Sequence, residues 1–309
     1  MEDKNVEKCW ISEIPSPLIK SFCLSFFDLD SIINFSSTNK KHRDLLSEFR
    51  RAHYHLNQSG FIKKYQVNDK SITKKEFFRE ILIKKDFSAL KDKDQKSPLH
   101  HTCNDKNISL ERLKYLAENK CDVKVKDSFN NTLLHYSCNN ENISIEILKF
   151  LVENKVDVNS TNKSGFIPLH IASSKENPSL EVIKFLIDNR SILDRKNSLG
   201  ESPLHYACKK KNISFELIQC LVERSSDINL KNGLGDTTFH IACENGNISL
   251  ETIQYLVENK ARLNMKNNQN STPIEYANKN KLLVNQIKEK HGEKADVQQI
   301  LNSFLNRKN

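Results

Sequence analysis

A chain of 309 residues with 37% hydrophobic and 28% charged residues has an ordinary water-facing composition, and no apolar run approaches the roughly 18 residues of a bilayer span. Its formal net charge of +9 comes from the ends: residues 1–96 carry 19 Lys and Arg against 14 Asp and Glu, residues 279–309 carry 7 against 3, and residues 97–278 carry 22 against 22. A balanced middle, basic only at the short run Lys209-Lys210-Lys211, argues against a surface that tracks a phosphate backbone.

The first residues, Met1-Glu2-Asp3-Lys4-Asn5, lack the basic and then apolar pattern of a secretory signal. An intracellular protein is therefore expected, in the cytosol with the nucleus also open. Of the eight cysteines, Cys103, Cys138, Cys208 and Cys243 share one position of a repeat, where Ser173 and Asn278 stand in other copies. A slot shared with serine reads as a small buried side chain, and thiols about 35 residues apart lack the close spacing of a metal site.

After a polar start (1–9), residues 10–50 show apolar sets at helical spacing. Leu18, Ile19, Phe22, Cys23, Phe26 and Phe27 come first, then Leu29, Ile32, Ile33 and Phe35, then a basic segment ending at Leu45 and Leu46. Pro15 suits the first position of a helix. Three short helices make too little core to be very stable alone. Either they dock on a partner or Leu18, Phe22 and Phe26 pack as a cap on the first repeat, and Trp10 is ambiguous between interface and local core.

The succession Ile14-Pro15-x-x-Leu18-Ile19, Phe26-Phe27-Asp28-Leu29-Asp30 and Thr38-Asn39-Lys40-Lys41-His42-Arg43 resembles an F-box. It departs from that family at Ile14, Thr38 and His42, where Leu, Val and Trp are preferred. The resemblance implies docking on the small adaptor subunit of a cullin-RING ubiquitin ligase through Ile14, Pro15, Leu18, Ile19, Phe22 and Phe26.

Residues 51–96 form a lysine-rich connector with one strongly apolar stretch, Phe77 to Ile83. Its end, Asp86 to Lys96, is like the loop before every later copy, so 74–96 reads as a partial repeat covering the first full one. Terminal repeats are expected to be atypical.

From residue 97 one pattern recurs every 35 residues without slip: Ser97-Pro98-Leu99-His100, Thr132-Leu133-Leu134-His135, Ile167-Pro168-Leu169-His170, Ser202-Pro203-Leu204-His205, Thr237-Thr238-Phe239-His240 and Thr272-Pro273-Ile274-Glu275. A constant period of this size signals stacked helical pairs. A cap and often proline open a short inner helix. A longer outer helix comes next, capped by Ser109, Ser144, Ser179, Ser214 or Ser249. Its predicted core columns begin at Leu110, Leu113 and Leu116 in the first copy and recur at the same spacing. The array covers 97–292 in six repeats, and Val297 to Leu305 predicts a final capping helix within 293–309.

This array resembles ankyrin repeats over about two thirds of the chain: the [ST]-P-L-H-x-A-[AC] opening, the Leu-Val-Glu-Asn helix ending and loops such as Val156-Asp157-Val158-Asn159. The family period is 33, and the two extra residues fall in the turn between the helices. The resemblance implies an all-α solenoid, a histidine hydrogen-bonded around the inner-helix turn, and a concave side of inner helices and loop tips that holds proteins. Where the family has glycine after the outer helix, this chain has Lys120, Lys155, Arg190, Ser225 and Lys260.

Apolar residues stand at three loop tips: Phe129, Leu199 and Leu234. On a solvent-facing tip they predict a target-binding row, unless they fold back on their own loops. No glycine-rich phosphate loop, catalytic triad spacing, paired-carboxylate setting or metal cluster is found. The sequence therefore predicts a monomeric, non-enzymatic binding protein without cofactor or metal, engaging a protein target and a cullin-linked adaptor and neither nucleic acid nor membrane. The alternative is a scaffold with no ligase link.

Overall fold

A helix that starts after an extended loop leaves its first backbone N–H groups without partners, and five copies solve this alike. The N–H before the helix donates to the imidazole Nδ1 three residues on, at 3.0–3.1 Å, for Ser97 and His100, Thr132 and His135, Ile167 and His170, Ser202 and His205, and Thr237 and His240. Histidine thus takes the place that Glu or Gln has in a capping box. Where a hydroxyl is present it also meets Nδ1, at 2.8–3.0 Å; Ile167 has none, so that copy keeps only the backbone half.

The computed structural model describes residues 87, 88, 90–210, 214–224 and 227–305. The chain divides into two compact units, Met1–Phe129 and Asn130–Asn309. In the first, inner helix α1 (Pro98–Cys103) is followed by outer helix α2 (Leu110–Glu118). Phe87 and Leu90 are buried; the Phe87 N–H donates to Asn119 O at 3.0 Å and its ring lies 6.5 Å from that of Tyr115. The expected F-box-like segment, 10–50, and most of the connector lie outside the described residues.

In the second unit inner and outer helices alternate: α3 (Leu133–Asn139), α4 (Ile145–Glu153), α5 (Pro168–Ser173), α6 (Leu180–Asp188), α7 (Pro203–Lys209), α8 (Phe215–Arg224), α9 (Thr238–Glu244), α10 (Leu250–Glu258), α11 (Pro273–Lys279) and α12 (Lys281–His291), then α13 (Val297–Leu305). Inner helices pack on the next inner helix and outer on the next outer, so the same seam is repeated from α3 to α12. Helix α13 packs on α10, α11 and α12, burying Val297, Leu301 and Phe304. Among the described residues the fold is all-α, with one isolated antiparallel bridge between Lys231 and Thr237, and no helix is long and apolar enough to cross a membrane.

Two of the three expected core columns are buried throughout, those of Leu113 and Leu116 with their equivalents in the later copies. The column headed by Leu110 is only partly covered in four of five copies. Instead the residue two places after it is buried: Arg112, Ile147, Val182, Leu217 and Thr252. At about 100° per residue the inward stripe centres between these positions, which leaves the first column at its edge. The serine caps also differ: Ser109, Ser179 and Ser249 accept from the N–H three residues on, as does Ser214, whereas Ser144 does not.

Four of the five residues in place of the family glycine have left-handed backbone, and the fifth, Ser225, lies outside the described residues. Lys120, Lys155, Arg190 and Lys260 have φ of 63–70°. In each, the helix end closes with paired hydrogen bonds, as from Lys155 N–H to Val152 O and Val156 N–H to Leu151 O. The preceding asparagine adds a third, its side-chain amide donating to the carbonyl four residues back at 2.7–2.8 Å in Asn119, Asn154, Asn189 and Asn259. Three satisfied carbonyls hold a conformation that lysine or arginine alone disfavours.

Candidate protein-binding surface

The loop tips are stiff hairpins built around an Asp or Asn. In Asn197 the side-chain Oδ1 accepts from the N–H groups of Leu199 and Glu201, both at 2.9 Å, while its backbone N–H donates to Glu201 O at 2.9 Å. Asp92, Asn162, Asn232 and Asn267 repeat the arrangement. Such local bonds replace the ladder that a short turn lacks. The fourth residue of each hairpin is left-handed: Gly165, Gly200 and Gly235 (φ 74–78°), and Gln95, Asn130 and Asn270 (φ 59–61°).

Within the second unit, tips also lock to one another. Gly233 N–H donates to Leu199 O at 2.8 Å and Asn268 N–H to Leu234 O at 3.0 Å. Glycine is required at Gly200, where an added Cβ would sit 2.7 Å from the Gly233 nitrogen. Backbone thus fills the space between tips, and the side chains there are turned outward. Leu199 is 60% exposed and Leu234 65%, so neither folds back on its loop, and the structure brings the two onto adjacent hairpins. Phe129, 56% exposed, ends the first unit. Ile14, Pro15, Leu18, Ile19, Phe22 and Phe26 lie outside the described residues.

Beside the tips, on the inner helices, Tyr206 and Tyr276 are half-buried, and their hydroxyls accept from the side-chain amides of Asn197 (3.0 Å) and Asn267 (3.2 Å). Burial, and then the neighbouring Glu201 carboxylate, push the Tyr206 hydroxyl up to about 12. Four of the five histidines, His135, His170, His205 and His240, are engaged on both ring nitrogens. Besides the Nδ1 contact, Nε2–H donates to a carbonyl of the next repeat, from His135 to Phe166 (2.9 Å), His170 to Glu201 (3.0 Å), His205 to Asp236 (3.4 Å) and His240 to Ser271 (3.1 Å). Burial holds the imidazoles of His170 and His205 near 4 and lowers that of His240, so these rings are neutral struts between repeats.

The side chains of Cys103, Cys138, Cys208 and Cys243 are buried, and burial pushes the Cys208 thiol up to about 12 and that of Cys243 higher still. Among the described residues no group of three or more His, Cys, Asp or Glu is placed to hold a metal ion. The bridging role of Asn159 and Asn229 was not read from the sequence, although Asn159 stands in the loop motif: each bridges to the next repeat, accepting from the N–H of Ile192 or Arg262 at 2.8 Å and donating to the carbonyl of Arg190 or Lys260 at 3.0 Å. Their 70-residue separation, two repeat lengths, was the signal that could have found them.

Three overlapping matches to the family model for ankyrin repeats (three copies) cover residues 71–162, 141–232 and 211–299. No curated protein matches the chain.

Proposed function

The chain belongs to the ankyrin-repeat family, and on that premise we propose that it is a protein-binding adaptor whose array holds a target while residues 10–50 dock, as an F-box would, on the adaptor subunit of a cullin-RING ubiquitin ligase. The observation that carries the target-binding half is the exposure of Leu199 and Leu234, 60% and 65%, on hairpins pinned by their own backbone bonds. Preorganised apolar side chains bind without a large ordering cost. Phe129 holds the equivalent repeat position in the first unit and is proposed as a target contact on that ground. The ligase half rests on the sequence resemblance through Ile14, Pro15, Leu18, Ile19, Phe22 and Phe26.

In this reading residues 51–96 connect and cap, 97–292 form the array and 293–309 close it, in a monomer acting inside the cell. The chain performs no chemistry itself. It raises the effective concentration of target lysines near a charged enzyme.

Retention of the purified cullin adaptor by the full-length chain tests the ligase half. Pro15→Ala with Leu18→Ala is expected to weaken retention by about tenfold or more, and Leu199→Asp with Leu234→Asp to leave it unchanged. No retention, or retention indifferent to the first pair, leaves a scaffold without a ligase link.

A further inference from the structure

In a repeat array, residues that every copy carries serve the stacking, and a residue only one copy carries invites a separate explanation. Glu201 and Lys209 are such a pair. The other five copies place Lys96, Asn131, Phe166, Asp236 and Ser271 at the first position, and Asn104, Asn139, Ser174, Glu244 and Lys279 at the second, so no other copy sets an acid opposite a base.

The Glu201 side chain is only 4% exposed, yet its partner Lys209 is 44% exposed and bonds just one carboxylate oxygen, Oε1. The second oxygen, Oε2, is buried and has no donor in hydrogen-bonding geometry, although the Tyr206 hydroxyl stands close enough to the carboxylate to be raised by it. Lys209 Nζ also lies 5.6 Å from the centroid of the Tyr206 ring, which packs at 5.3 Å from that of Phe166. A carboxylate beside an aromatic face is a cation site, and here the chain's own mobile-stemmed ammonium occupies it and fills half of it. An ammonium is a compact point donor. A guanidinium is a flat fork that reaches both oxygens of one carboxylate and stacks on a ring.

We infer that Glu201, Tyr206 and Phe166 form a binding site for an arginine side chain of the target, for which Lys209 is the resident placeholder. The arriving guanidinium displaces the lysine, satisfies Oε2 as well as Oε1 and lies against Tyr206; the released lysine reaches solvent along its own stem. This deepens the target-binding half of the proposed function and rests on it. The site lies on the array beside the Leu199 tip, since Glu201 ends that hairpin, so the partner it fits places an arginine next to an apolar residue.

The test titrates the full-length protein, labelled at tyrosine, with N-acetyl-arginine methylamide, and follows the Tyr206 ring by NMR. Saturable shifts are expected in the wild type and about tenfold tighter binding once Lys209→Met removes the competing charge while keeping the stem. Adding Glu201→Gln to Lys209→Met is expected to abolish the shifts, and the lysine amide to bind less tightly than the arginine amide. Wild-type shifts that do not saturate, or that N-acetyl-citrulline methylamide reproduces, overturn the assignment whatever the variants do. The probe needs neither target nor ligase: a target held by Leu199 and Leu234 without an arginine sinks this inference alone, and loss of adaptor binding leaves it standing.

Discussion

The backbone after each outer helix is a place where single residues carry a measurable cost. Lys155 holds φ at 63°, a conformation glycine adopts without a Cβ penalty. Lys155→Gly is expected to raise the unfolding free energy by about 0.5–1 kcal/mol, seen as a higher urea midpoint; an unchanged midpoint would mean that the asparagine cap already removes the strain. The histidines give a pH signature. Folded His170 and His205 titrate near 4, below the unfolded value of about 6.5, so between these limits the unfolded chain binds more protons. Their stabilisation is complete above about pH 6.5 and is lost as pH falls toward 4, at about 1.4 kcal/mol per pH unit for each ring. Urea midpoints at pH 7, 6 and 5, above the range where most carboxylates protonate, are expected to fall steadily, and a flat profile would contradict neutral buried imidazoles.

At the scale of one helix, α2 departs from its fellows. Arg112 is 6% exposed in the column that holds Ile147, Val182 and Leu217 elsewhere. Its Nη1 reaches Asp105 at 2.8 Å, but its buried Nε has no partner. A buried ion pair recovers its desolvation cost only when every donor is satisfied. Arg112→Leu restores the apolar column, and Asp105 keeps an acceptor role toward the Asn107 N–H at 2.9 Å. This variant is expected to be more stable by about 1 kcal/mol or more, whereas Arg112→Ala, which leaves a void as well, is expected to lose stability. Thermal unfolding of the pair of variants separates ionic from packing effects, because only the first fills the column.

At the scale of the molecule, stability in a stack is passed between neighbours, so its ends matter beyond their own contacts. Phe304 is fully buried in α13, which lies on α10, α11 and α12. Phe304→Ala is expected to cost about 3–5 kcal/mol. Hydrogen exchange is expected to quicken through Leu250–His291 before it does in α5 and α6. Equal acceleration everywhere in the second unit would instead show that the stack opens as a single cooperative body.

Much of this was legible in the sequence because a repeat protein makes its contacts at a fixed separation. The unbroken period of 35 residues places every helical pair, every strut histidine and the four buried thiols of the inner helices, and left-handed Lys155 follows from the glycine it replaces. The tip leucines were visible as apolar residues where the chain turns. Other features were decided only in three dimensions. Which of two neighbouring columns is buried depends on the rotation of each outer helix about its axis, and a few tens of degrees exchange Leu110 for Arg112. That Leu199 and Leu234 stand away from their loops follows from hairpin backbones packing at 2.8–3.0 Å across repeats, which leaves the side chains no inward space. The burial of Glu201 opposite Lys209 depends likewise on a hairpin end meeting an inner helix, a juxtaposition that spacing does not encode because only one copy carries both charges.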